Sequence, residues 1–120
     1  MRIFLVPFIA YALAPAGQSA EPNERAMKLA FEARLEAQVQ NVLDYVRETY
    51  GPEGVARIRA AGTDRFEVRE FKKLECVRED DGYVCNFSVD VSVATGSIAQ
   101  TIRGRFVLNA DQTLTFIQDI

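Results

Sequence analysis

Few side chains in this chain could carry chemistry. There is no His among the 120 residues, which removes the Ser/His/Asp triad, the Cys/His dyad, the usual zinc cages and any imidazole proton shuttle. Glu79, Asp80 and Asp81 offer oxygens to a hard cation, but a calcium loop spreads its ligands through about twelve residues and these three share one tight turn. They read as solvated turn residues, and no metal or cofactor is expected. Arg103 and Arg105, beside Asn86 and Ser88 on one face of a sheet, could recognise a carboxylate or phosphate. The plainer reading is a polar outer face with a cross-strand Asp90–Arg103 pair worth under about 1 kcal/mol. Lys72 and Lys73, with Arg65, Arg69 and Arg78, read as charges that discourage edge pairing. Tyr45, Tyr50 and Tyr83 are candidates to line a small pocket between helix and sheet, although aromatics at such positions commonly pack. No catalytic residue is assigned, because the inward positions carry no carboxylate pair and a raised pKa needs burial.

The elements that hold these groups belong to one ordinary globular domain: 48% of residues are hydrophobic, 26% charged and 10% aromatic. Lys plus Arg is 14 against 17 for Asp plus Glu, a net charge of -3, which gives no support to nucleic-acid binding. Met1 and Arg2 precede a run from Ile3 to Ala16 that is apolar apart from Tyr11, and a polar stretch follows from Gly17. This is the layout of a secretory signal peptide over residues 1–20, with small-residue cleavage signals at Ala14 and Ala16, at Gly17 and Ser19, or at Ala20. The run is shorter than the roughly 20 residues of a membrane-spanning helix and contains Pro7 and Pro15, so no stable anchor is expected after cleavage. Residues 21–120 form the expected domain, periplasmic or secreted. A domain of about 100 residues buries roughly 60 to 70% of its unfolded surface and gains from a covalent staple.

Cys76 and Cys85 supply that staple. They flank strand, turn and strand, with Glu79-Asp80-Asp81-Gly82 as the turn, so a two- or four-residue turn sets the cysteines directly opposite each other. Closing the loop should contribute about 2.7 kcal/mol in the chain-entropy model. Upstream, Met27, Phe31, Leu35, Val39, Val42, Val46 and Tyr50 recur at steps of three or four and predict an amphipathic helix from Pro22 to Tyr50. Gly51-Pro52 should end it and open a second, short helix that carries Val55 and Ile58 inward and stops at Gly62. Tyr83, Cys85, Phe87, Val89, Val91 and Val93 alternate with mostly polar residues and predict a strand with one buried face. A Thr95-Gly96 turn would then set Val93 opposite Ile98, Val89 opposite Ile102, Cys85 opposite Phe106, Tyr83 opposite Leu108, and Phe87 over Gly104. Leu114, Phe116 and Ile120 continue the apolar face in a last strand. Arg65 to Val77 changes parity, which suggests a bulge near Lys72. The expected fold is α+β: a long N-terminal helix and a short second helix on a four-stranded antiparallel meander, with one hairpin disulfide.

A helix followed by such a meander, with Cys76, Gly82-Tyr83-Val84-Cys85-Asn86-Phe87 and Gly104-Arg105-Phe106-Val107, resembles small exported bacterial domains of cystatin-like or nuclear-transport-factor-like architecture. The hairpin that cystatins place in a protease cleft reads Gln-Val-Val-Ala-Gly; here it is Ala94-Thr95-Gly96-Ser97. Enzymes of the cone-shaped architecture place Asp, His and Tyr in a pocket where this chain has Val, Ile, Leu and Phe, and fold alone licenses no reaction. The leading expectation is a non-enzymatic exported accessory or protein-binding module that meets a periplasmic partner through the sheet's outer face or a hairpin end. One alternative is a small-ligand binder or weak enzyme with a pocket between helix and sheet; another is an inhibitor or immunity protein of a secreted enzyme.

Overall fold

A computed structural model describes residues 21–118; the expected signal peptide and Ile120 lie outside the described residues. The helix, α1 (Glu24–Ala61), begins where Asn23 leaves helical geometry and its side-chain oxygen accepts the Ala26 amide at 2.8 Å. It ends at Gly62, whose left-handed backbone (φ 75°) lets its own amide reach Arg59 O and the Thr63 amide reach Ile58 O. The separate short helix expected after Pro52 is not a distinct element. Only Gly51 departs from helical backbone (φ 75°, ψ -172°), and Pro52, which needs no amide partner in a first turn, lets the helix resume at once. Gly54 then approaches the preceding stretch so closely that a Cβ there would lie 2.8 Å from Tyr50 Cβ and 2.9 Å from Val46 Cγ1.

Four antiparallel strands follow in the spatial order of the chain: β1 (Phe66–Glu79), β2 (Gly82–Val93), β3 (Gly96–Leu108) and β4 (Leu114–Gln118). Cys76 sits directly opposite Cys85, their Cα atoms 4.0 Å apart, and the two are joined by a disulfide. The turn between them is the two-residue form, Asp80-Asp81, with Asp80 at φ 45°. β1 carries two register shifts, between Val68 and Glu70 and between Lys73 and Glu75, in place of one near Lys72. Each extra residue flips the inward parity. Hence Val68 is buried, Phe71 and Cys76 pack against the core, and Leu74 and Val77 are exposed.

The β2–β3 register differs from the expected one by two residues. Val93 pairs with Gly96, Val91 with Ile98, Phe87 with Ile102, Cys85 with Gly104 and Tyr83 with Phe106. The chain turns at Ala94-Thr95, and Gly96 (φ 141°) is already in the strand. A two-residue slip keeps every side chain on its face, so the alternating pattern cannot detect it. The ring over Gly104 is accordingly Phe116, whose Cζ lies 2.8 Å from where a Cβ would stand.

The core forms where the first turns of α1 cross the inner face. Met27, Ala30 and Phe31 are buried against Val68, Cys85, Phe87, Val89, Ile102, Phe106 and Phe116. Phe87 lies at its centre, stacked on Phe71 at 4.8 Å and edge-on to Phe31 and Phe116 at 5.4 and 5.5 Å. Lys73 anchors the start of the helix to β1: its amide donates to Glu24 Oε1, and its ammonium to Pro22 O and Glu21 Oε1 at 2.8 and 2.6 Å. The expected apolar stripe of α1 is only partly covered. Val42 and Tyr50 are largely exposed, whereas Leu43 is buried, because beyond Leu35 the helix passes the dense part of the core and meets its own returning segment.

Candidate functional site

Beyond the aromatic core the layers part and leave a groove of about 430 Å³ between α1 and the sheet. Its helix wall is Leu35, Val39, Val42 and Leu43, and its floor is Phe66, Val91, Val93 and Ile98. These positions follow from the two periodicities: the helical residues recur at steps of three and four, and the strand residues occupy alternate positions of paired strands. Ile58, from the segment after Gly51, and the Thr63-Asp64-Arg65 link close one side. Gln38 and Gln100 add amides at the exposed rim. Ile98 remains 50% and Val42 55% exposed, so the groove is open to water.

Asp64 is the carboxylate in this wall. Its Oδ1 is buried and has no hydrogen-bond partner, and such an oxygen costs free energy until a donor reaches it. Thr63, beside it, donates its hydroxyl to Ile58 O at 3.3 Å. No trio of acidic or Cys side chains that could hold a metal occurs among the described residues. The groove thus has mostly aliphatic walls, two amides at its rim, and Thr63, Asp64 and Arg65 on one side.

The residues singled out from sequence lie away from the groove: the arginine set falls together on the sheet's outer face, and the tyrosines are not brought together. Arg103 lies opposite Asn86, Ser88 opposite Thr101 and Arg105 opposite Val84, all on the outer face. Arg105 reaches Glu79 Oε1 at 3.5 Å and Asp81 Oδ1 at 4.0 Å, so a guanidinium already stands beside the acidic turn. The expected Asp90–Arg103 pair does not form. Asp90 lies between Ala99 and Glu70, with a buried Oδ1 that has no partner. Tyr45 and Tyr50 are each 62% exposed. Tyr83 sits at the far end of the sheet, with the Arg78 guanidinium 5.7 Å over its ring. None of the three tyrosines lines the groove.

Sequence reasoning missed the groove walls and Asp64. One signal was present: Gln100 interrupts the even-numbered inward series Ile98, Ile102, Phe106, and an amide at an inward position marks where that face meets water. No family model, curated protein or solved structure matches the chain.

Proposed function

We infer that the protein is a non-enzymatic binding module that works outside the cytoplasm, periplasmic or secreted, and takes an apolar guest into the groove between helix and sheet. The observation that carries this reading is the open groove itself. Its volume falls within the range of about 300–1,000 Å³ common to ligand sites, its walls are mostly aliphatic, and Val42 and Ile98, one from the helix and one from the sheet, both line it and are about half exposed. Asp64 lines one side of the same groove, so the favoured chemistry is an apolar body with a hydrogen-bond donor directed at that side. The disulfide supports an oxidising compartment. No described helix is long and apolar enough to cross a membrane.

This puts the binding surface on the inner face and not on the outer patch of Arg103, Asn86 and Ser88. Titration with phenylnaphthylamine, a neutral apolar fluorophore, separates the two. Saturable enhancement is expected for the wild type, with affinity falling about tenfold in Val42→Glu, equivalent to about 1.4 kcal/mol, and unchanged in Arg103→Ala. Absence of saturable binding, or equal binding by Val42→Glu, overturns the groove reading.

A further inference from the structure

The sheet has two edges, and they are protected very differently. Among the described residues β1 is an edge along its whole length; eight of its 14 residues are charged and two bulges break it. These are the devices by which a protein keeps a strand from pairing with another chain. On the other side, β4 pairs only with Gly104–Leu108 of β3, so the earlier part of β3 is also an edge among the described residues. From Gly96 to Thr101 that edge holds no charge and no Pro, every residue is exposed, and its register with β2 is unbroken.

The hydrogen-bonding groups this edge offers can be identified. A Cα separation of 4.0 Å marks Cys76–Cys85 as a closely spaced pair without mutual backbone bonds. The amide and carbonyl of Cys85 therefore turn toward β3, and alternation along the regular register makes Val89–Gln100 and Val91–Ile98 hydrogen-bonded pairs too. It follows that the backbone groups of Ser97, Ala99 and Thr101 point away from β2, toward the open side.

We propose that two copies of the chain pair antiparallel along this edge, about a two-fold axis at Ala99. Ser97 then lies opposite the partner's Thr101 and Ala99 opposite the partner's Ala99, and each pair exchanges two backbone hydrogen bonds. On the inner face the half-exposed Ile98 meets the partner's Gln100. Arg103 falls opposite the partner's Thr95, so no charge opposes a like charge. The two sheets become one eight-stranded sheet with both grooves on the same face. The match is self-complementary in length as well: the pairing runs from the hairpin turn of one copy to the beginning of β4's cover on the other.

Sedimentation velocity across the micromolar range tests this. The wild type should rise toward twice the monomer mass with concentration. Ala99→Pro removes an amide that makes no bond to β2 and should stay monomeric with its disulfide and circular dichroism intact. Ala99→Lys, which sets two ammonium groups at the axis, should do the same and carries the test if the proline variant misfolds. Arg103→Ala should dimerise as the wild type does. A wild type that stays monomeric at the highest concentration, or an Ala99→Lys variant that dimerises unchanged, overturns the proposal. Phenylnaphthylamine binding by the monomeric variants reports on the groove separately, so the two readings can fail independently.

Discussion

The two ends of the helix–sheet layer draw on one continuous inward series of residues and finish in opposite states. At one end Met27 and Phe87 have no exposed surface. At the other, Val91, Val93 and Ile98 carry the same series onward, yet Ile98 keeps half its surface in water. The difference lies in reach. Rings from α1 and from all four strands span the gap between layers and lock one another at centroid distances of 4.8–6.0 Å, whereas the groove is lined mainly by shorter Leu, Val and Ile side chains. Alternation decides which way a side chain points, and the volume opposite decides whether it becomes dry.

The sharpest way to break this comparison is to remove a group from each end. Phe87→Ala should cost about 3–5 kcal/mol, since the four aromatic rings around it cannot collapse into the space it leaves. Val42→Ala should fall within about 0.5 kcal/mol, as for other exposed positions. Urea denaturation midpoints at unchanged slope give both values. A comparable loss in the two variants would mean that the groove is as tightly filled as the core.

The aromatic end was also the legible end. Inward parity of β2, β3 and β4, the opposed cysteines and the Gly62 stop could all be read from spacing, because each depends on a local period or a backbone requirement. The β2–β3 register could not, since a slip of two residues leaves parity intact and only the turn at Ala94-Thr95 decides it. In β1 the parity change at Phe71 announced a bulge, but two bulges nearly cancel, so the second was hidden by Cys76 returning to the first parity. The groove was hardest to see. A helical stripe from Met27 to Tyr50 reads the same whether a sheet, a returning segment or water lies against it, and the choice between Leu43 buried and Val42 exposed is made by the bend at Gly51.

A smaller effect should show that the two ends are separable. Replacing both cysteines, Cys76→Ala with Cys85→Ala, removes the loop closure and should cost about 2–3 kcal/mol, measured by denaturation of the variant against the oxidised wild type. The disulfide belongs to the aromatic end, and neither cysteine lines the groove. Phenylnaphthylamine affinity at a temperature where the variant is folded should therefore stay within about twofold, as for independent sites. A large loss of dye binding would mean that the hairpin staple shapes the groove as well.

The smallest expected effect belongs to the turn that leads β3 into β4 and so brings Phe116 over Gly104. Asp111 accepts the Thr113 hydroxyl at 2.6 Å and the Thr113 amide at 3.1 Å, and these bonds, the hydroxyl first, hold its carboxyl below the usual carboxylate value. A depressed folded pKa means that the ionised form stabilises the turn. That contribution is fully present above the unfolded value near 4 and disappears as pH falls through the lower folded value. Asp111 is open to solvent, so the effect is local: below about pH 4, amide exchange at Thr113 should quicken while the amides around Phe87 stay protected. Carboxyl titration by NMR should place Asp111 below the ordinary aspartate value, and Asp111→Asn should remove the acid-side change at Thr113. A carboxyl that titrates at or above the ordinary value would mean that the turn is held by Asn109 and Thr113 alone, through the 2.7 Å bond from the Asn109 amide to Thr113 O.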